Sequence, residues 1–162
     1  GDEAADQWSP QIALGTAVHI PESYVGDLQL RLGLYRRLSA LEKRSDIDNF
    51  AAEMVDRFGE LPPEVRHLLD VVEIKGLCRA AGIQQIDAGP KGAVIAFRRN
   101  TFANPAGLID TIQRSGGRMR VQPDQKVAFK AEWDPPEERL GGERALVPSL
   151  GELAAKVRKA AA

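Results

Sequence analysis

The sequence holds little of the chemistry on which metal sites and disulfides depend. Cys78 is the only cysteine among 162 residues, so an intramolecular disulfide is excluded. The two histidines, His19 and His67, are far apart, and with one cysteine they cannot assemble an ordinary zinc site. We therefore expect no metal and no cofactor, structural roles for both histidines, and a buried Cys78 in a reducing compartment.

Recognisable catalytic motifs are also missing. The sequence contains neither the G-x-x-x-x-G-K-[ST] spacing of a phosphate-binding loop nor the G-x-S-x-G spacing of a nucleophile elbow. The nearest glycine-rich segment, Gly89 to Gly92, is typical of a hairpin turn. Glu53 and Asp56 could in principle share acid/base work, but the sequence predicts no pocket around them. We therefore expect a non-catalytic protein with no catalytic residues.

Long apolar runs are absent. No segment approaches the roughly 18 consecutive apolar residues that cross a bilayer, and residues 1–10 are polar and acidic without an apolar signal core. Hydrophobic residues make up 43% of the chain and charged residues 28%, close to globular averages. These features predict a cytoplasmic globular protein without membrane contact.

Helical periodicity fills the first half of the sequence. We predict three successive helices, covering residues 27–41, 45–58 and 62–82. Ser45 and Asp48 form the S-x-x-D pattern of a helix N-terminus, and Gly59 is suited to end the second helix because it tolerates a left-handed conformation.

Strand-like alternation replaces helical periodicity in the second half. Because the strands come in adjacent pairs, we predict an α+β fold in which a helical N-terminal half packs with a small, mainly antiparallel β-sheet. The predicted elements are a strand within residues 12–20, a hairpin of residues 83–88 and 93–97, a short helix of residues 104–112 and a strand pair of residues 119–121 and 127–131.

Composition also suggests the domain boundaries. Residues 1–10 are expected to be a disordered leader or tag remnant, and residues 11–133 an α+β domain. Residues 134–148 are rich in proline, glycine and charge, which predicts a loop or linker. Residues 149–162 are predicted to form a C-terminal helix.

Charge is distributed unevenly, although the formal net charge is only −1. Residues 46–64 contain six acids and one base, whereas residues 74–131 contain ten bases and three acids. In the second predicted helix, Glu53 and Asp56 lie beside Asp46 and Asn49, opposite the apolar side that contains Met54. This acidic face is either a solvated helix surface or a docking site that receives arginine side chains.

The basic second half leaves open a nucleic-acid-binding module. Its arginines could neutralise backbone phosphates, but few aromatic residues are available to stack on bases. The arginines considered are Arg98, Arg99, Arg114, Arg118 and Arg120.

Several segments together resemble the C-terminal domain of the bacterial transcription-repair coupling factor, from Ile20 to about Phe129. Each segment alone is a weak indication, but together and in this order the segments are specific to that domain. The segments are Ile20 to Val25, Leu30 to Leu38, Val55 to Pro62, Leu77 to Ile86 and Asn104-Pro105.

This resemblance implies an autoinhibitory regulatory domain of a large ATP-driven DNA translocase, none of whose ATPase motifs lie in this chain. Such a parent removes stalled RNA polymerase and recruits the excision-repair damage-recognition protein. The resemblance implies that this domain packs on the N-terminal domain of the same parent chain, and that DNA is contacted through the parent. The contact is expected near Asp56 and Arg57, which makes the interface set Glu53, Asp56, Asp46, Asn49 and Arg57.

Overall fold

The computed structural model of the protein describes residues 8–13, 18–102 and 104–133. The chain divides into two compact units, one formed by residues 16–76 and the other by residues 1–15 together with residues 77–162. The first unit is helical and the second contains a sheet, so the predicted α+β class is confirmed.

The helices and strands alternate irregularly along the described residues. The helices are α1 (Leu28–Ser39), α2 (Arg44–Phe58), α3 (Pro63–Ala81) and α4 (Pro105–Arg114). The strands are β1 (Gln11–Ala13), β2 (Ile83–Gly89), β3 (Gly92–Phe97), β4 (Met119–Val121) and β5 (Val127–Lys130).

The helical unit is held together by the apolar sides of α1, α2 and the first half of α3. Asp27 caps α1, since its Oδ1 accepts a hydrogen bond from the backbone N–H of Leu30 at 2.8 Å. Arg31 donates to the carbonyls of Val25 and Gly26, which fixes the chain that leads into α1. The buried core residues are Ile20, Val25, Leu34, Leu38, Ile47, Phe50, Met54, Val65 and Leu69.

The start of α2 differs from the prediction. The helix begins at Arg44, after Lys43, and no side chain caps it, so the predicted N-cap at Ser45 with Asp48 is wrong. The reason is that Asp48 has another partner and does not bond to a backbone N–H at the helix start. Arg44 Nε donates to Asp48 Oδ1 at 3.1 Å, and the same guanidinium bonds to Glu73 on α3. The predicted end is confirmed, since Gly59 follows the helix with φ of 93°.

The second unit contains a five-stranded sheet in the order β1-β2-β3-β5-β4. Three of the pairings are antiparallel and β1 pairs with β2 in parallel, as expected for a mainly antiparallel sheet. The inward side chains are buried, including Ile86, Ile95 and Val127. Cys78, in the last turns of α3, is fully buried as predicted.

The predicted segments at the two ends of the chain fall largely outside the described residues. The expected linker at residues 134–148 and helix at residues 149–162 lie outside the described residues, as do residues 1–7. Of the predicted leader, Trp8 lies under the guanidinium of Arg98, 5.1 Å from ring centroid to Cζ, and Pro10 is buried. The strand predicted within residues 12–20 corresponds to β1, whose described residues Gln11–Ala13 pair with β2.

The turn between β2 and β3 provides a stability prediction. Gly92 has φ of 126°, and a Cβ atom there would lie 2.0 Å from the carbonyl oxygen of Phe129, so Gly92→Ala is expected to lower the free energy of unfolding by about 2 kcal/mol or more. Gly89→Ala, in the same turn, is the matched control because its Cβ would meet no atom within 4 Å. Urea denaturation measures both; equal losses would contradict the steric explanation.

Candidate protein-interaction surface

The candidate surface lies on α2, and the burial of its opposite side sets its direction. Ile47, Phe50 and Met54 recur at three or four residue spacing and are 4%, 3% and 0% exposed. At about 100° per residue, these positions share one side of the helix. Of the five predicted interface residues, Asn49, Glu53 and Asp56 lie away from this side. Asp46 and Arg57 lie at its border, within about 40° of Phe50, and all five are partly or fully exposed.

Glu53 is already held by two arginines of this chain. Arg37, on α1, bonds to it through both terminal nitrogens, with Nη1 to Oε2 at 2.6 Å and Nη2 to Oε1 at 2.7 Å. Arg57, one turn further along α2, donates to Oε2 at 3.0 Å. The Arg37 guanidinium also lies over the Phe50 ring, 5.0 Å from its centroid. Glu53 thus ties α2 to α1.

These contacts change the acidity of the Glu53 carboxyl. Hydrogen bonds from Arg37 and then from Arg57 lower the pKa of Glu53 from 4.5 to about 2. The same bond raises the pKa of Arg37 above its usual value. Glu53 therefore remains ionised well into the acid range. Its single negative charge lies within hydrogen-bonding distance of two positive charges, those of Arg37 and Arg57.

Asp56 differs from Glu53 in having no such partner. Within the part of the chain that the structure describes, the Asp56 carboxylate forms no hydrogen bond or ion pair, and neither does that of Asp46. Asn49 lies between them on the exposed face. Val55, next to Asp56 in the sequence, is 48% exposed but lies about 100° around the helix from it, so it is not part of this acidic face.

Two residues that position this surface were not predicted. Arg37 is 16 residues from Glu53, and no local pattern shows that the two meet. Tyr24 holds the end of α2: its hydroxyl donates toward the carbonyls of Gly59 at 2.7 Å and Met54 at 3.1 Å. Its ring meets Phe58 edge-on, with centroids 5.8 Å apart, and burial raises the pKa of Tyr24.

Other kinds of site find little support among the described residues. No group of three or more His, Cys, Asp or Glu side chains within this part of the chain is arranged to hold a metal ion. The described helices include none that combines the length and the apolar character of a membrane span. The exposed side of α2 carries charged residues instead, some of which are paired with one another.

Comparison with known proteins identifies the family. A family model described as the TRCF domain matches residues 14–108, more than half of the chain. The chain therefore belongs to the TRCF domain family. Its fold is that of a crystal structure titled as the C-terminal domain of transcription-repair coupling factor, with a TM-score of 0.70 at 16% identity over 94% of this chain and 96% of that one.

Full-length relatives carry the same domain. The chain is 40% identical over 120 residues to the transcription-repair-coupling factor of Rickettsia prowazekii and 30% identical over 125 residues to that of Myxococcus xanthus. These matches cover 74% and 77% of this chain. The chain spans only 11% and 10% of the length of these two relatives.

The lowered pKa of Glu53 predicts how stability depends on pH. The unfolded chain takes up this proton near pH 4.5 and the folded chain only near pH 2, so the contribution of the ion pairs is present above pH 4.5 and is lost as pH falls toward 2. We expect Glu53→Gln to lower the urea midpoint near neutral pH, with the difference from the unsubstituted chain shrinking across that window. Asp56→Asn, whose carboxylate has no described partner, should show no such convergence. A constant difference for Glu53→Gln would contradict the assignment.

Tyr24 predicts a second stability effect. Tyr24→Phe keeps the ring against Phe58 but removes the donor to Gly59 and Met54, which is expected to cost about 1 kcal/mol of unfolding free energy. Ser39→Ala removes an exposed hydroxyl bond at the end of α1 and should change stability by less than about 0.5 kcal/mol. Urea denaturation compares them, and a Tyr24→Phe effect no larger than that of Ser39→Ala would show that the hydroxyl does not hold α2.

Proposed function

We propose that this chain is a non-catalytic, autoinhibitory regulatory domain of a cytoplasmic transcription-repair coupling factor. In this proposal the exposed face of α2 binds the N-terminal domain of the same parent chain. The observation that carries it is Asp56, an outward carboxylate without a described partner on a helix whose opposite side is buried. That the parent couples transcription to repair is inferred from the names of the relatives that the chain matches.

The chemistry of the face favours an arginine-bearing partner. An exposed carboxylate can accept both terminal nitrogens of a guanidinium, which fixes direction as well as charge. Asp56 and Asp46 are available for this without breaking a described bond. Glu53 would have to exchange Arg37 or Arg57 for the incoming arginine, so its main part is to hold those two arginines beside Asp56.

A contact made by a few exposed charges is suited to a domain that closes and opens reversibly. Exposed ion pairs contribute little individually, so a few carboxylates give a closed state that is favoured by only a few kcal/mol. Any ligand that binds the open state more tightly by a similar amount can release it. Engagement of stalled RNA polymerase by the parent would then expose a surface for the excision-repair damage-recognition protein.

The proposed interface predicts a binding phenotype. We expect this chain to bind the separately expressed N-terminal region of its parent, and Asp56→Ala to weaken that binding about tenfold or more because a charge-assisted hydrogen bond is lost. Isothermal titration calorimetry at moderate salt measures the affinity.

Asp48→Ala is the matched control for that measurement. Asp48 is also exposed on α2, but Arg44 binds it, and it lies about 80° around the helix from Asp56. Affinity should stay within about twofold of the unsubstituted chain. Equal effects of the two substitutions would reject Asp56 as the contact, and no binding by the unsubstituted chain would reject the intramolecular partner.

Autoinhibition predicts a gain of function in the full-length parent. Glu53→Ala combined with Asp56→Ala should favour the open state and strengthen binding of the damage-recognition protein. The affinity for the damage-recognition protein is measured by pull-down. Because Glu53→Ala removes the ion pair with Arg37, circular dichroism of the variant chain checks that it is still folded. A folded variant with unchanged affinity for that protein would defeat the autoinhibitory proposal.

A further inference from the structure

The outward face of the sheet carries a second charged surface, unrelated to α2. An open groove of about 780 Å³ runs over this face, and its lining includes Lys91, Arg118, Arg120 and Lys130. Asp87 is the one acid among the residues that line it. The formal charge of the described lining is therefore +3, in a chain whose net charge is −1.

Strand register explains why these bases meet. Arg120 pairs with Ala128, which pairs with Val94, which pairs with Asp87, so these four side chains form one row on the same face of the sheet. The neighbouring row contains Gly92 and Lys130, which are paired, and Arg118, whose carbonyl accepts from the Lys130 N–H at 2.7 Å.

The bases of the groove are available for a ligand. Within the described residues, the side chains of Lys91, Arg120 and Lys130 form no ion pair or hydrogen bond. Arg118 donates through Nε to the carbonyl of Ser115 at 3.2 Å, which orients its terminal nitrogens without neutralising them. Asp87 accepts a hydrogen bond from the side-chain amide of Gln85 at 3.0 Å. Within the described residues its carboxylate forms no ion pair with a base of the groove.

The shape of the groove indicates what kind of anion it suits. Gly92, Val94 and Ala128 make a shallow floor of small residues between the bases, which offers no deep pocket for the side chains of an acidic peptide. A peptide that joined the sheet as a strand would use one of its edge strands, β1 or β4, and neither edge is the face that the groove covers. A chain of phosphates needs only positioned cations.

Aromatic residues narrow the choice further. Phe97, Phe102 and Trp133 are buried. Phe129 lines the groove, but it pairs with Ala93 and Met119 in the inward row of the sheet and its ring packs on Trp133, so none of these rings offers a stacking platform for the bases of a single strand. Duplex nucleic acid presents its phosphates without requiring such stacking. We propose that this face, defined by Lys91, Arg118, Arg120 and Lys130 and called here the basic groove, binds the phosphodiester backbone of duplex DNA without sequence preference. This inference is independent of the function proposed for α2.

Fluorescence anisotropy with a labelled mixed-sequence DNA duplex tests the basic groove in the complete chain. With three or four phosphate contacts, log Kobs is expected to fall with log salt at a slope of about −3. Arg120→Gln with Lys130→Gln removes two contacts and breaks no described bond, so it should weaken binding about tenfold near 0.1 M salt and bring the slope to about −1 to −2.

Arg36→Gln with Arg66→Gln is the matched control, because it removes the same charge from α1 and α3 outside the basic groove and likewise breaks no described ion pair. It should leave affinity within about twofold and the slope unchanged. Lys91→Gln, in the turn, is the second groove variant if the first fails to fold, and it should reduce the slope by about one.

Four results would overturn the proposal. The first three are no duplex binding at about 50 mM salt, equal weakening by the groove and control variants, and displacement of DNA by polyglutamate at charge concentrations equal to those of competing unlabelled duplex. The third result would show that the basic groove takes acidic polypeptide rather than nucleic acid. Tighter binding of a single strand than of the duplex would also contradict it, since the groove lacks an aromatic platform.

Discussion

The burial of one side of α2 is the constraint on which the proposed interface depends. Phe50 and Met54 are almost fully removed from solvent, and each such side chain contributes about 1.5 to 3 kcal/mol through burial. Rotating the helix to bring its carboxylates inward would expose these side chains and would bury charge. The direction of Asp56 is therefore set by the core on the other side of the helix, without requiring any contact of its own.

Polar contacts refine this arrangement. The bidentate pair of Arg37 and Glu53 joins α1 to α2 at the edge of the core. The Tyr24 hydroxyl donates to the carbonyl of Gly59, just past the end of α2, and also approaches the carbonyl of Met54. Both contacts are partly exposed, so each is modest in energy. Together they determine which carboxylates stay available, because Glu53 is engaged and Asp56 is not.

Much of the fold followed from local sequence patterns. Asp27 and Asn104 cap the helices that were predicted to begin there, each accepting a backbone N–H bond, and the β2–β3 hairpin turns where glycine and proline predicted it. Each of these features depends on residues within a few positions of one another. The start of α2 was mistaken because Asp48 bonds to Arg44, which the S-x-x-D pattern alone cannot show.

The charged surfaces were less predictable because they depend on contacts between distant segments. Helical spacing placed Glu53, Asp56, Asp46 and Asn49 on one face of α2, and the family resemblance added Arg57, but Glu53 is engaged by Arg37 from another helix. Arg118 and Arg120 were recognised as bases, whereas their convergence with Lys91 follows from how β3, β5 and β4 pair. Pairing partners are chosen by the whole fold, and periodicity within one strand does not specify them.

The seclusion of Cys78 has a practical consequence for studying both surfaces. It is the only thiol of the chain and is 0% exposed, so maleimide reagents have no ready target in the folded protein. A cysteine introduced at a chosen surface position would then carry a fluorophore or spin label at a single known site. Distances and ligand proximity could be followed without first replacing a native residue in the core.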